Sequence, residues 1–222
     1  MEVEISEQQI KKLQKAASIT EIQMLMGRCV SYLNQMDARS IWDKLFINGD
    51  PDVSIELGDY GGYDGPEHVK EFLYSFHEYL QDPSDKRGWM DIYNINTPYI
   101  ILSNDGSHAY AAWNCFSPQA KQAKPYPSEV RTLTAIWVAR KFIADCVLNA
   151  DRWKFRKLQE VVYIRTPYEL GWIKQPDCMR QEPLDCVVPD RQPRIYTYHP
   201  DAIYSPTGLY NWGPFPPEEG SF

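Results

Sequence analysis

The stretch EIQMLMGRCVSYLNQMDARSIWDKLF, residues 21–46, contains the two helical patterns that decide the fold. In its first part, apolar residues recur at steps of three and four, as in an amphipathic helix. Together with Ile19, these residues are Ile22, Leu25, Met26, Cys29, Leu33 and Met36. Residues 6–17 are also helical in pattern but more polar. Residues 38–46 predict a short second helix, which the sequence NGDPD ends.

A strand and a third helix follow. Val53–Leu57 is predicted as a strand, and it leads into the glycine-rich turn GDYGGYDG at residues 58–65. Pro66 stands near the start of a helix over residues 66–81, whose apolar residues again form one stripe. The turn lacks the G-x-x-x-x-G-K-[ST] pattern of a phosphate-binding loop, so it is interpreted as a tight turn.

From about residue 90 to residue 165 the pattern is that of β-strands. Residues 90–102 are rich in Ile and Tyr, and the turn sequence SNDG follows. His108–Phe116 alternates, with Ala109, Ala111, Trp113 and Cys115 on one side. Residues 129–148 and 153–164 are further strand-like runs, joined by NADR. Helices followed by such an antiparallel meander predict an α+β fold with the helices packed on one face of a sheet.

The C-terminal part has a different composition. Ten of the seventeen prolines fall between residues 167 and 222, a density that excludes regular helix or a central strand. Several aromatic residues in the same region argue against a solvated linker. We therefore predict one domain over residues 1–175 and an extended tail over residues 176–222, packed on the domain or on a neighbouring subunit.

Composition excludes several functions. The 222 residues carry a net charge of −7 without any block of Lys or Arg, which argues against nucleic acid as a partner. No apolar run approaches the length of a membrane span, and the charged N-terminus lacks the apolar region of a signal peptide. Five cysteines without a CxxC pair indicate reduced thiols in the cytoplasm. The four histidines show no ligand spacing with them, so no metal site is predicted.

Four local sequences carry a resemblance to a known family. They are residues 21–46, the G-x-Y-x-G-x-E element at 61–67, WNCFSP at 113–118 and WKFRKLQEVVYIRTPYELGW at 153–172. Over about residues 10–175 the chain resembles the SnoaL-like group of the NTF2-like superfamily. Bile-acid 7α-dehydratase, scytalone dehydratase and, more distantly, γ-formaldehyde lyases belong to this superfamily. The resemblance implies a cone, in which a curved antiparallel sheet wraps around N-terminal helices, with a cofactor-independent active site inside.

The resemblance also implies catalytic residues. Tyr32 and Asp37 match a Tyr and an Asp of the bile-acid dehydratase at the same spacing, and we expect both to line one internal cavity. The alternative for Asp37 is that it caps the helix at 38–46. The position of the family's catalytic His is Tyr93 here, and a second acidic position falls on Ser117. Because tyrosine is a poor base near neutral pH, Asp37 is the base candidate, and Tyr32 and Tyr93 are hydrogen-bond donors.

Other strand residues are candidates for binding a ligand. Asp91 and Tyr93 share one strand face, whereas Asn94 lies on the other. Arg131 and Arg140 lie on opposite faces by parity unless a bulge intervenes. An inward arginine would hold a carboxylate or phenolate, although an ion pair on the outer face is the favoured interpretation for both.

Further candidates are weaker. Trp89 and Trp113 either line the pocket or belong to the core. Ser117 is a further candidate for binding the ligand. Lys157 and Gln159 occupy positions where the subgroup often carries histidines. His77 is interpreted as a surface or core histidine.

The resemblance and the candidate residues together imply a cofactor-free lyase, of the dehydratase or C–C lyase type. Its substrate would be a hydrophobic, hydroxylated small molecule, aromatic or polycyclic, bound in an internal pocket. The rival from another class is a non-catalytic small-molecule-binding protein, and a third hypothesis is an isomerase or cyclase. The resemblance further implies a homo-oligomer, with a trimer favoured over a dimer.

Overall fold

Helices at the N-terminus pack on one side of a curved sheet. The computed structural model describes residues 6–123, 132–174 and 187–192. The helices are α1 (Glu7–Asn34), α2 (Ala38–Leu45), α3 (Pro66–Gln81) and the one-turn α4 (Gly171–Lys174). The strands are β1 (Ser54–Leu57), β2 (Gly62–Asp64), β3 (Met90–Asp91), β4 (Asn94–Ile95), β5 (Tyr99–Leu102), β6 (His108–Ala123), β7 (Thr132–Asn149) and β8 (Arg152–Pro167). The α+β prediction is confirmed. Within these ranges, none of the helices combines the length and apolar composition that crossing a bilayer requires.

The polar helical pattern over residues 6–17 and the apolar stripe that begins at Ile19 form one continuous helix of 28 residues, α1. It begins with a capping box, in which Ser6 and Gln9 bond each other's backbone N–H groups. It ends before Met36, which adopts a left-handed conformation with φ of 58° and turns the chain into α2. The buried stripe, from Ile22 to Leu33, faces the core as predicted.

The sheet has the strand order β2-β1-β8-β7-β6-β3, with β4 and β5 also paired to β6. The pairs of β6 with β7 and of β7 with β8 are antiparallel, as the meander prediction requires, whereas β1 pairs with β8 in parallel. Residues 90–102 form three short strands rather than one. The break between β4 and β5 contains Pro98, which has no N–H to donate to a ladder.

A β-bulge changes the side-chain alternation in β8. Arg140 is opposite Val162, but Ala139 is opposite Ile164, so Tyr163 is an extra residue in the ladder. Because side chains alternate with a period of two, one extra residue moves every following side chain to the other face.

The bulge therefore decides which charged residues share the inner face. Glu160 precedes the bulge and Arg165 follows it, five residues later. Without the bulge these two side chains would lie on opposite faces, whereas both are buried on the inner side of the sheet.

The core lies between the helices and the inner face of the sheet. Its aromatic part includes Tyr63 and Phe72, stacked with 4.0 Å between ring centroids, and Phe76, stacked on Phe72 at 5.7 Å. On β6, the predicted inward residues are buried and contribute to the same core; they are Ala109, Ala111, Trp113 and Cys115.

Residues 187–192 pack on the domain beside β2. The backbone of Arg191 exchanges two hydrogen bonds with Gly62 at 2.9 and 3.1 Å, beside β2. Its guanidinium contacts Glu56 at 2.9 Å and Asp64 at 2.8 Å. The neighbouring Gly61 has no room for a side chain, because a Cβ there would lie 2.7 Å from the Arg191 carbonyl oxygen. The rest of the predicted tail lies outside the described residues.

Candidate active site

A cavity opens between the ends of α1 and α3 and the inner face of the sheet. The empty space between its walls, together with open solvent at its mouth, amounts to about 630 Å³. Most of its lining residues are apolar or aromatic: Leu33, Met36, Leu57, Tyr60, Phe76, Leu80, Trp89, Met90, Tyr93 and Phe142. The others are polar and charged residues from β3, β6, β7 and β8: Asp91, Gln119, Lys121, Arg140, Glu160 and Arg165. We call these six residues the charged cluster.

Arg140 lies in the middle of the charged cluster, and its side chain is only 2% exposed. Its Nη1 donates a hydrogen bond to Glu160 Oε1, and its Nη2 lies 3.6 Å from Asp91 Oδ1. The ring of Tyr93 faces the guanidinium, with 4.3 Å between its centroid and Cζ. Burial by itself would lower the pKa of Arg140, but the charge of Glu160 outweighs it, so the pKa lies well above its usual value and Arg140 stays charged.

Asp91 joins Arg140 to the residues of β6. Its Oδ2 accepts a hydrogen bond of 2.6 Å from Gln119 Nε2 and lies 3.2 Å from Lys121 Nζ. Burial would raise the pKa of this carboxyl, but the charges of Lys121 and Arg140 and the Gln119 hydrogen bond outweigh it. The pKa of Asp91 is therefore lowered, and Asp91 is an anion in the folded protein.

Lys121 has a lowered pKa. Burial is the main cause, because it disfavours the charged ammonium, and the positive charges of Arg165 and Arg140 act in the same direction. The carboxylate of Asp91 offsets part of the shift. The Lys121 amine consequently becomes neutral at a lower pH than that of an ordinary lysine.

The pKa values of two tyrosines of the cavity are raised instead of lowered. Burial and the charge of Asp91 hold the pKa of Tyr93 well above its usual value, and burial does the same for Tyr60. Both phenols are therefore protonated at neutral pH, and they can donate hydrogen bonds but are not bases.

The structure brings some of the predicted site residues into the cavity. Tyr93 and Trp89 line it. Trp113 is in the core, and Ser117 is buried with its Oγ 3.4 Å from Cys115 Sγ; neither lines the cavity. Asn94 is exposed on the opposite face of its strand.

Two other sequence candidates lie away from the cavity. Lys157 is exposed and Gln159 is half-buried on the outer side of β8. Arg131 lies outside the described residues.

Asp37 and Tyr32 lie near the cavity but do not line it. The Asp37 carboxylate caps α2 by accepting a 3.2 Å hydrogen bond from the Ser40 N–H, and its Oδ1 lies 3.4 Å from His77 Nδ1. The Tyr32 ring contacts Lys44, whose Nζ is 5.0 Å from the ring centroid. The hydrogen bond by which Asp37 caps α2 is thus present in the structure, and the catalytic role of Asp37 stays a prediction.

The structure differs from the sequence interpretation at Arg140, for which an outer-face ion pair is favoured. The side chain points inward and forms the ion pair inside the cavity. Apolar residues flank it on both faces of β7, for example Val138 and Ala139, so alternation does not reveal which face is inside.

Sequence reasoning also missed Lys121, Glu160 and Arg165. The signal for Lys121 was present, because the alternation of β6 continues from Cys115 through Ser117 and Gln119 to residue 121. Arg165 had no such signal, since its orientation depends on the bulge. Among the described residues, no group of His, Cys, Asp and Glu is placed to hold a metal ion.

Comparisons by sequence find no relative. No family model matches the chain, and no curated protein matches it.

Solved structures do match. A putative scytalone dehydratase from Novosphingobium aromaticivorans superposes with a TM-score of 0.53 at 13% identity, over 78% of this chain and 97% of that one. A type 2 hexachlorocyclohexane dehydrochlorinase (LinA) gives 0.54 at 15% identity, over 78% and 99%. The type 3 LinA from Novosphingobium barchaimii gives 0.52 at 14% identity, over 78% and 99%. At such identities the similarity shows a shared fold, and function has to be argued from the site.

Proposed function

We propose that this protein, which has the fold of the NTF2-like superfamily, is a cofactor-independent lyase for a hydrophobic, hydroxylated small molecule, aromatic or polycyclic. One observation carries the proposal: the half-buried Asp91 and Lys121 and the buried Arg140 lie together in the wall of a cavity whose lining is largely apolar and aromatic. Burying charged groups is costly, and perturbed titratable groups in a cleft are typical of active sites.

The Asp91–Lys121 pair would move the proton. Elimination of water requires a base that removes a proton from carbon, and a neutral Lys121 amine has both the position and the lowered pKa for this role. The ammonium that forms would lie 3.2 Å from the Asp91 carboxylate, which stabilises it. Asp37 is the rival base, because it matches the motif of the family but lies outside the cavity wall.

Arg140 and Tyr93 would stabilise the negative charge that develops during the reaction. Arg140 supplies a permanent positive charge away from bulk water, where electrostatic stabilisation is strong. Tyr93 remains protonated, so its hydroxyl can donate a hydrogen bond to the leaving hydroxyl group, which takes the proton held by the Lys121 ammonium and departs as water.

The apolar lining of the cavity would hold the carbon skeleton of the substrate. Leu33, Phe76, Leu80 and Phe142 line the same cavity as the charged cluster and would place a ring next to it. Two of the similar structures are named a dehydratase and a dehydrochlorinase, and both names describe eliminations, which supports a lyase.

A substrate panel tests this function. Purified protein would be incubated with hydroxylated aromatic and polycyclic compounds, and mass spectrometry would detect loss of water or of a carbon fragment. Lys121→Met should abolish any conversion. The matched control is Lys157→Met, which removes an exposed lysine from the outer side of β8 and should leave conversion unchanged. Equal conversion by wild type and Lys121→Met would contradict the proposed mechanism, and a product isomeric with its substrate would indicate an isomerase instead.

One observation favours the alternative, a non-catalytic binding protein. The Asp37–His77 pair does not line the cavity, so the cavity wall that the structure describes has no carboxylate–imidazole pair. A binding protein would retain panel compounds at equilibrium without converting them.

A further inference from the structure

Helix α1 has a second apolar stripe, on the side that is turned away from the core. The buried residues of α1, from Ile22 to Leu33, lie on one side of the helix. At about 100° of rotation per residue, a second set with the 3-4 spacing of a heptad pattern lies on the opposite side. We call this set the outer stripe; it consists of Ile10, Leu13, Ala17, Thr20, Met24 and Gly27, all of them exposed. Its large members Ile10, Leu13 and Met24 are 45%, 62% and 62% exposed, so α1 presents an apolar face that no described residue covers.

The first turns of α1 have no support from the rest of the chain that the structure describes. Residues 6–17 are exposed on every side of the helix, and the buried residues of α1 begin only at Ile22. An isolated helical segment of this length is marginally stable in water, even with a capping box at its start. A partner that covers the outer stripe would stabilise these turns.

Gly27 indicates that the partner is another backbone at close range. Glycine inside a helix is unfavourable by about 1 kcal/mol relative to alanine. A Cβ at Gly27 would meet nothing within 4 Å, so packing among the described residues does not require glycine at this position. A glycine on an exposed face does allow a second helix to approach closely.

The charges beside the outer stripe are arranged to match a second copy of the same helix. With Ile10 at position a of the heptad, the e positions are Glu7, Gln14, Glu21 and Arg28. This row is acidic at its N-terminal end and basic at its C-terminal end. Two such rows are complementary when they run side by side in opposite directions.

Antiparallel pairing therefore brings opposite charges together. Glu7 of one copy faces Arg28 of the other, and Leu13 packs against Met24. A two-fold axis makes each of these contacts occur twice. The small residues of the outer stripe, Ala17 and Thr20, meet at the centre, where the two backbones are closest.

Parallel pairing lacks these contacts. Parallel helices place the e row of one copy next to the g row of the other. The g row consists of Gln9, Ala16 and Gln23, and it carries no charge. A parallel pair would consequently have no ion pair beside its apolar seam.

We infer that two copies of this chain associate through antiparallel pairing of their α1 helices along the outer stripe. The pair involves none of the residues that line the cavity, and the outer stripe is turned away from the sheet. The inference is therefore independent of the proposed lyase function, and the outer face of the sheet stays available for other contacts.

Sedimentation equilibrium of the full chain tests the pairing, at about 1–100 μM so that weak association is also detected. The wild type should contain an even number of chains. Leu13→Glu should halve its mass, because a charge would be buried in the interface. Halving is expected whether or not the sheet forms a further interface. The control Gln8→Glu adds the same charge at an exposed position on nearly the opposite side of α1, and it should leave the mass unchanged.

A charge swap tests the direction of the pairing. Glu7→Arg and Arg28→Glu each place like charges against one another, and each should weaken the association about 3- to 10-fold at low salt. The double variant Glu7→Arg/Arg28→Glu should restore the association of the wild type. Because Glu7 and Arg28 lie about 30 Å apart along one helix, restoration requires a contact between two copies.

The outcomes that would overturn the pairing are distinct. They are a wild-type mass of one or three chains at every concentration, an unchanged mass in Leu13→Glu, and a double variant as weak as the single ones. Hydrogen exchange identifies a different occupant of the outer stripe. If residues 7–17 are protected in a single chain and lose this protection on truncation after Lys174, the C-terminal part of the chain covers the stripe and the inference is wrong.

Discussion

Lys121 reaches the cavity from the C-terminal end of β6, where its amine lies 3.2 Å from Asp91 Oδ2. Arg140 and Arg165 add positive charge from β7 and β8, and the centroid of the Trp89 ring is 5.5 Å from the amine. Burial and the two arginines lower the pKa of the amine, while Asp91 acts against them. Its protonation therefore depends on the balance of these neighbours, which single substitutions can shift.

The pH profile of kcat/KM should show how the neighbouring charges set the protonation of Lys121. The active form of Lys121 is the neutral amine, so activity should rise with pH through a pKa below the ordinary 10.5 of lysine. Asp91→Asn removes the group that raises this pKa, so the acidic limb of the profile should move to lower pH. The control variant Lys157→Met should keep the profile of the wild type. A limb that moves to higher pH in Asp91→Asn would contradict the assignment of Lys121 as the base.

At the scale of elements, the sequence predicted which face of a helix or strand is buried, because hydrophobic periodicity determines that face. The stripe of α1 and the alternation of β6 follow from burial of one face, so Leu25 or Trp113 could be placed from the sequence. The cavity residues depend on long-range geometry instead. Arg165 faces inward only because Tyr163 is an extra residue opposite β7, and no local pattern signals that register shift.

The contact between residues 187–192 and β2 allows a prediction at the same scale. Arg191→Ala removes contacts to Glu56, which is buried, and to Asp64. We expect it to lower the free energy of unfolding by about 1–2 kcal/mol, since the pair is partly shielded from water. Glu78→Ala, which breaks an exposed pair with Arg39 at 3.7 Å, should cost less than about 0.5 kcal/mol. Equal effects of both variants in urea denaturation would show that the contact with β2 is not stabilising.

At the scale of the whole molecule, the outer face of the sheet carries exposed aromatic surface. Phe116 stacks on Trp137 with 5.0 Å between centroids, and Trp137 contacts Tyr168 at 5.7 Å; Phe116 and Tyr168 are 41% and 61% exposed. Such patches are typical of interfaces. We propose that copies of the chain associate through this face, with a trimer favoured over a dimer.

The mass in solution tests this assembly. Light scattering should give a multiple of 25.9 kDa for the wild type, and Trp137→Glu should reduce it because a charge would be buried at the interface. Thr132→Glu, an exposed position on the same strand, is the control and should leave the mass unchanged. A wild-type mass of one chain would contradict the proposal.

Truncation after Lys174 tests the predicted tail. The shortened chain loses the segment that bonds Gly62 and Glu56, so its Tm should fall, and assembly should weaken if the tail also contacts a neighbouring subunit. A truncated protein with the Tm and mass of the full chain would show that the tail has no structural role.

The central claim is that Lys121, Asp91 and Arg140 in the cavity wall carry the chemistry, rather than Asp37 at the start of α2. The most direct measurement compares kcat/KM of Lys121→Met and Asp37→Asn on a compound that the panel shows to be converted. Asparagine caps a helix as well as aspartate does, so Asp37→Asn removes the base and keeps the cap. We predict a loss of about 10²–10⁴-fold for Lys121→Met and nearly full activity for Asp37→Asn. Loss of activity in Asp37→Asn, with activity retained in Lys121→Met, would contradict the claim.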